Sequence, residues 1–156
     1  MSQKVFVDTS ALYAMLSADD LHHAAAVRCF EMLHDEQATL VSTNYVVVEC
    51  ASLVQRRRGF EHASTLLVKA GEILEMVWIE AEEHRQMVAL WKAAQSRALS
   101  LVDCSSIAVM RANGLHRIVA FDRQFAQAGF ELLPHADRVS ERRGVYRTSR
   151  VRRKNS

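Results

Sequence analysis

Along this chain, short β-branched apolar runs are each followed by a longer stretch with helical spacing. The run KVFV (4–7) predicts a first strand, closed at once by Asp8, Thr9 and Ser10, with a helix beginning near residue 10. Ala24, Val27, Phe30 and Leu33 recur at i, i+3 spacing and predict a second helix, for which Asp19 or Asp20 can serve as the cap. TLVS (39–42) predicts the next strand. Thr43 or Asn44 then caps a helix through YVVVECASLVQRRR that stops at Gly59, with Arg56, Arg57 and Arg58 suiting the dipole of its last turn. A helix over 60–70 ends at Gly71, and MVWI (76–79) reads as a strand. Residues 81–98 form a long amphipathic helix with Met87, Leu90, Trp91 and Ala94 on one side. Asp103 opens a helix reaching about Gly114, RIVAF (117–121) is a strand that delivers Asp122, and a short helix runs to Gly129. FELL (130–133) is the last strand before Pro134.

Strands alternating with helices imply right-handed crossovers and an α/β fold, with a mostly parallel sheet covered on both faces. In such sheets ligands bind beyond the carboxyl ends of the strands. That rule singles out four acids. Asp8 and Asp122 each follow a strand directly, Asp103 sits at a helix start, and Glu49 lies about a turn and a half into an otherwise apolar helix face. Individually, Asp8, Asp103 and Asp122 are ordinary caps or turn residues. Glu49 fits that reading least, because a carboxylate among Val, Cys and Leu costs several kcal/mol to desolvate without a partner. Apart from Arg123, no Lys or Arg lies near these acids at a pairing position. Together they predict one acidic site. Two unit charges ~4 Å apart repel by roughly 4 kcal/mol at an effective dielectric of about 20, so such a cluster takes up protons or cations. Carboxylate oxygens without His or Cys favour Mg²⁺ or Mn²⁺, and one or two such ions suit phosphodiester hydrolysis.

Composition narrows the class. The 156 residues fit one domain with a sizeable core, and the apolar and charged fractions are those of a soluble globular protein. No apolar run approaches the ~20 residues of a membrane span, and MSQKVFVDTS places polar residues where a signal peptide has its apolar core. These features point to a cytoplasmic location. Cys29, Cys50 and Cys104 form no CxxC pair and read as buried hydrophobes, and the seven histidines lack metal-ligand spacing.

VFVDTSAL (5–12), NYVVVEC (44–50), SLVDCSSIAVM (100–110) and AFDRQF (120–125) resemble the motifs of PIN-domain nucleases, closest to the VapC-type toxins of toxin–antitoxin pairs. The resemblance spans roughly residues 4–134. It implies a three-layer α/β/α sandwich and a Mg²⁺- or Mn²⁺-dependent endoribonuclease that cuts RNA with an activated water. Asp8, Glu49, Asp103 and Asp122 would be the catalytic, metal-binding quartet, and Ser10 the small polar residue supporting the first Asp. A homodimer and a cognate antitoxin lying along the active-site groove are implied in the same way. One position departs from the pattern: many family members carry Thr two residues before the last acid, where this chain has Ala120.

Net charge conceals a division. Of 20 basic and 18 acidic residues, seven basic and one acidic lie in 141–156, so the body carries about −4 and the tail about +6. The expected organisation is therefore a nuclease-like domain over 1–140 and a basic, flexible tail over 141–156. Arg142, Arg143, Arg147, Arg150, Arg152, Arg153 and Lys154 can engage RNA phosphates, and Tyr146 can stack on a base. The tail can also serve to bind an acidic protein or simply to solubilise.

Other functions remain open on sequence. They are an RNA-processing or DNA-cleaving PIN nuclease and a catalytically silent RNA- or protein-binding module of the same fold. A phospho-acceptor domain fits less well, since Asp8 has no acidic neighbour and Lys92 lies within a helix. A haloacid-dehalogenase-type phosphatase needs an Asp where Ser10 stands.

Overall fold

The structure, a computed structural model, describes residues 2–135. The end of the expected domain and the whole basic tail, with its seven cations and Tyr146, lie outside the described residues. Five strands form one sheet in the order β3-β2-β1-β4-β5: β1 (Lys4–Val7), β2 (Thr39–Thr43), β3 (Glu75–Val77), β4 (Arg117–Val119) and β5 (Glu131–Leu133). All four pairings are parallel. The expected α/β sandwich is observed, and its sheet is wholly rather than mostly parallel.

Seven helices are found among the described residues: α1 (Thr9–Leu16), α2 (His23–Asp35), α3 (Asn44–Arg58), α4 (Phe60–Ile73), α5 (Ala81–Ala94), α6 (Leu101–Ala112) and α7 (Gln124–Gln127). β1 is the central strand, and Val5, Phe6 and Val7 are buried without regard to alternation, as in a strand covered on both faces. Phe6, Phe125, Leu33 and Met110 are the bulkiest fully buried side chains. Each such side chain contributes on the order of 1.5–3 kcal/mol of burial free energy. Gly59 alone separates α3 from α4, at φ +90°, a conformation that suits glycine and strains other residues.

Several sequence expectations shift for identifiable reasons. Asp20 spends its carboxylate on the backbone N–H of His22, two residues on, and makes a turn; α2 therefore starts at His23 with no side-chain cap. β3 lies at the sheet edge and starts one residue earlier than MVWI, leaving Trp78 66% exposed beyond it. α4 continues through Gly71 to Ile73, because nothing terminates it there. α5 stops at Ala94, where Gln95 turns left-handed. Only Met87 of its four expected core residues is buried; Leu90 and Trp91 face outward. Cys29 and Cys50 are buried and Cys104 half-buried, all as free thiols; burial pushes the first two up to about 11 and about 12.

Candidate active site

β1 pairs with β2 on one side and β4 on the other, so the chain changes direction across the sheet at β1. The carboxyl ends of β1, β2 and β4 lie side by side there, with Val7 level with Val119. Ser42 fastens them by donating its hydroxyl to the carbonyl of Val7 at 2.9 Å. Asp8 and Asp122 leave from this edge. α3 follows β2 directly and carries Glu49, while α6 leads into β4 and carries Asp103.

Asp8 is both a helix cap and a member of the acidic group. Its Oδ2 accepts from the Ser10 backbone N–H at 3.2 Å and from the Ser10 hydroxyl at 2.8 Å, capping α1. Among the described residues its Oδ1 is buried without a hydrogen-bond partner, and the residue is 4% exposed. Burial raises its carboxyl to about 6, the Ser10 contacts pull it back, and the charge of Asp103 adds to the rise. Asp103 stands third in α6, in a reciprocal capping box with Ser100. Ser100 Oγ accepts from the Asp103 N–H, and Asp103 Oδ2 accepts from the Ser100 N–H, both at 3.0 Å. Its carboxyl is raised chiefly by burial, lowered by those Ser100 contacts, and raised again by Asp122. The cap reading of both residues is therefore physically true. The charges nonetheless act on one another in a chain, Asp8 to Asp103 to Asp122.

Glu49 is half-buried and accepts from the Thr9 hydroxyl at 2.7 Å, which ties it to the first turn of α1. Asp122 accepts from the backbone N–H of Gln124 at 3.1 Å and from its side-chain amide at 2.9 Å. Where Ala120 lacks a hydroxyl, Gln124 orients this last carboxylate. Thr9 and Gln124 went unnoticed in the sequence. The available signal was a polar residue one or two places after a strand-end acid, at positions bound to be enclosed. Ser10 does more than expected, since its Oγ also accepts from the Phe121 backbone N–H at 3.0 Å. That joins the end of β1 to the segment after β4. Among the described residues, none of the four acids forms an ion pair with Lys or Arg.

The sequence matches the PIN domain family over residues 5–131. It is 30% identical over 127 residues to the 23S rRNA-specific endonuclease VapC20 of Mycobacterium tuberculosis, covering 81% of this chain and 95% of the relative. This chain is a PIN-domain protein of the VapC type. Ribonuclease VapC26 of the same organism is 28% identical over 125 residues, covering 80% of this chain and 90% of that protein. The crystal structure of VapC20, titled a sarcin-ricin loop cleaving toxin, superposes with a TM-score of 0.72 over 81% of this chain and 95% of its own. The VapBC2 complex of Rickettsia felis, bound to a promoter DNA fragment, shares the fold at 13% identity and a TM-score of 0.61, over 83% of this chain and 97% of that one.

A divalent metal fits what this PIN domain offers. The candidate donors are all carboxylate oxygens, one of them an orphaned buried atom, and the proton affinity of Asp8 is raised by Asp103 and that of Asp103 by Asp122. The carboxylates are not drawn into a closed cage: among the described residues, no three His, Cys, Asp or Glu side chains are already arranged to hold an ion. Also among the described residues, no helix is long and apolar enough to cross a membrane.

Proposed function

We propose that this VapC-type protein is a Mg²⁺- or Mn²⁺-dependent endoribonuclease and the toxin of a toxin–antitoxin pair. The observation that carries the reading is the Asp8 Oδ1, buried at the sheet's carboxyl edge without a partner among the described residues and within the field of Asp103, which itself lies in the field of Asp122. Asp8, Glu49, Asp103 and Asp122 hold the metal and are the catalytic acids. A bound divalent ion supplies a water acidified to hydroxide at neutral pH and neutralises charge on the phosphate. The protein's part is orientation: Ser10 fixes Asp8, Thr9 fixes Glu49, Ser100 fixes Asp103 and Gln124 fixes Asp122. Each carboxylate thus has a fixed polar neighbour, while the acids still have to draw together to share an ion.

The 30% identical relatives are named as 23S rRNA endonucleases, which makes a structured rRNA loop the first substrate to test. The basic tail serves as an electrostatic arm for RNA phosphates, and deletion of 141–156 should flatten the salt dependence of RNA affinity; an unchanged slope would remove the arm from the account. An antitoxin and a second copy of the chain are the protein partners. Phe60, Leu67 and Val68, exposed at i, i+7, i+8 on α4, provide an apolar stripe for one of them. The protein acts in the cytoplasm.

The decisive experiment is cleavage of RNA by purified protein with Mg²⁺ or Mn²⁺, beside EDTA and beside Asp8→Ala and Asp103→Ala. Cleavage that persists in any of these controls refutes the metal mechanism. Growth arrest on expression, relieved by the adjacent small gene, separates a toxin from a processing enzyme.

A further inference from the structure

The imidazole of His22 lies flat on the ring of Phe121, with centroids 4.3 Å apart and planes within 8° of parallel. Neither ring belongs to the acidic group, yet both are anchored to it. Phe121 immediately precedes Asp122, and its backbone N–H donates to Ser10 Oγ, the same hydroxyl that donates to Asp8 Oδ2. The Phe121 main chain is therefore two hydrogen bonds from the orphaned carboxylate of Asp8. His22 is held from its own side. Its N–H donates to Asp20, its carbonyl accepts from Ala26, and the neighbouring His23 ring bonds the carbonyl of Ala14 on α1 at 2.8 Å. The turn that carries it is thereby fastened to the helix that starts at Asp8.

One face of the imidazole is covered by Phe121, and His22 is exposed on the solvent side while Phe121 is half-buried. An outward aromatic face, stacked on the residue that precedes an active-site acid, is not needed to fill the core. Single-stranded RNA is recognised by stacking its unstacked bases on such faces, histidine included. Because Phe121 precedes Asp122 and its main chain is bonded through Ser10 to Asp8, the stacked pair flanks the edge at which a scissile phosphate would meet the carboxylates.

Resting on the ribonuclease reading, we propose that His22, backed by Phe121, is the stacking platform for an unpaired RNA base beside the scissile phosphate. His22 is a specificity and positioning residue. It selects RNA that can splay a base out at that position, and it carries no proton in the reaction.

The test uses the full chain and RNA hairpins bearing 2-aminopurine at successive positions of an unpaired loop, bound with Ca²⁺ to hold back cleavage. In the wild type, the fluorescence is quenched at one position. His22→Ala loses the quench and raises KM by roughly fivefold to a hundredfold, with kcat within about twofold. His22→Phe restores both, and the melting temperatures of all three proteins agree. Removing the base at the quenched position costs the wild type a similar factor in KM and costs His22→Ala nothing further. The platform is overturned if His22→Ala keeps the wild-type KM, if His22→Phe fails to rescue, or if the abasic penalty persists in His22→Ala. A wild type that neither binds nor cleaves RNA defeats the ribonuclease reading itself, and the platform with it. A wild type that cleaves, matched by His22→Ala, defeats the platform alone.

Discussion

The two ends of the sheet treat charge in opposite ways. At the amino ends, Lys4 opens β1 and pairs with Glu75, which opens β3. Arg117 opens β4 and lies 3.5 Å from Glu36 and 3.8 Å from Glu131, which opens β5. Along that edge each cation meets an anion, and the charges are satisfied by one another. At the carboxyl ends, Asp8 stands in the field of Asp103 and Asp103 in that of Asp122, and Ser, Thr, Gln and backbone amides are the groups that contact the acids. Dipoles aim these carboxylates without neutralising them. One edge is arranged for stability, and the other keeps like charges together that only a proton or a cation can relieve.

The largest expected effect comes from breaking the carboxyl edge. Asp8→Asn or Asp103→Asn should lower RNA cleavage on the order of a thousandfold, since several kcal/mol of metal-borne stabilisation goes with the ligand. Both variants should keep the fold, because the amide oxygen still accepts the capping N–H. Cleavage within tenfold of wild type, measured on the same RNA with saturating Mg²⁺, would take that residue out of the site.

The next effect concerns stability and has a definite sign. Asp8 holds its proton up to about pH 6 in the folded protein, against 3.8 in the unfolded chain. The favourable contribution of the protonated form is complete below about 3.8 and is lost as pH rises through about 6. At about 1.4 kcal/mol per pH unit, the interval amounts to roughly 3 kcal/mol. Metal-free wild type should therefore lose stability relative to Asp8→Asn between pH 4 and 7, by up to that amount, in urea titrations at stepped pH. Mg²⁺ should close the gap at pH 7. A gap independent of pH would mean that the buried carboxylate is not what destabilises this edge.

Breaking the amino edge should do the reverse. The Arg117 side chain is mostly buried and also reaches Gln3, so Arg117→Met should cost roughly 1–2 kcal/mol. The cost stays at that level because Glu36 and Glu131 are open to water and Glu131 keeps its contact with His135. Cleavage per folded molecule should not change. A cleavage defect at full folding would show the two edges to be coupled.

Much of the carboxyl edge was legible because it is written in short range. KVFV forms a strand as read and RIVAF does so only over Arg117–Val119, and the chain beyond a parallel strand must emerge at the carboxyl edge; this places Asp8 directly after β1 and Asp122 three residues after β4. Thr43 and Gly59 bound α3 by local chemistry, and Glu49 follows. What escaped depends on neighbours far along the chain. The Thr9–Glu49 bond spans 40 residues and the Phe121–Ser10 bond 111, so neither leaves a periodic trace. The apolar spacing of α5 predicted burial of Leu90 and Trp91, but spacing records a hydrophobic face without saying what covers it. The same limit hid the outward stripe on α4. Asp20 was legible as a capping residue and misplaced by function, because its reach to His22 serves a turn as readily as a helix.

The smallest effect sharpens the comparison most. Lys4 and Glu75 are both half-exposed, so a double-mutant cycle with Lys4→Met and Glu75→Gln should give an attractive coupling of about 0.2–1 kcal/mol that shrinks in salt. The matching cycle at the other edge, Asp8→Asn with Asp103→Asn in EDTA at pH 7, should give a coupling of the opposite sign. Once one acid is neutral, the other no longer meets its repulsion, so the second substitution stabilises less than it does alone. Mg²⁺ should turn that coupling attractive, because both acids then share one cation. If the carboxyl-edge coupling is zero in EDTA, the acids are isolated caps that happen to lie at one edge, and the contrast between the two ends of the sheet disappears.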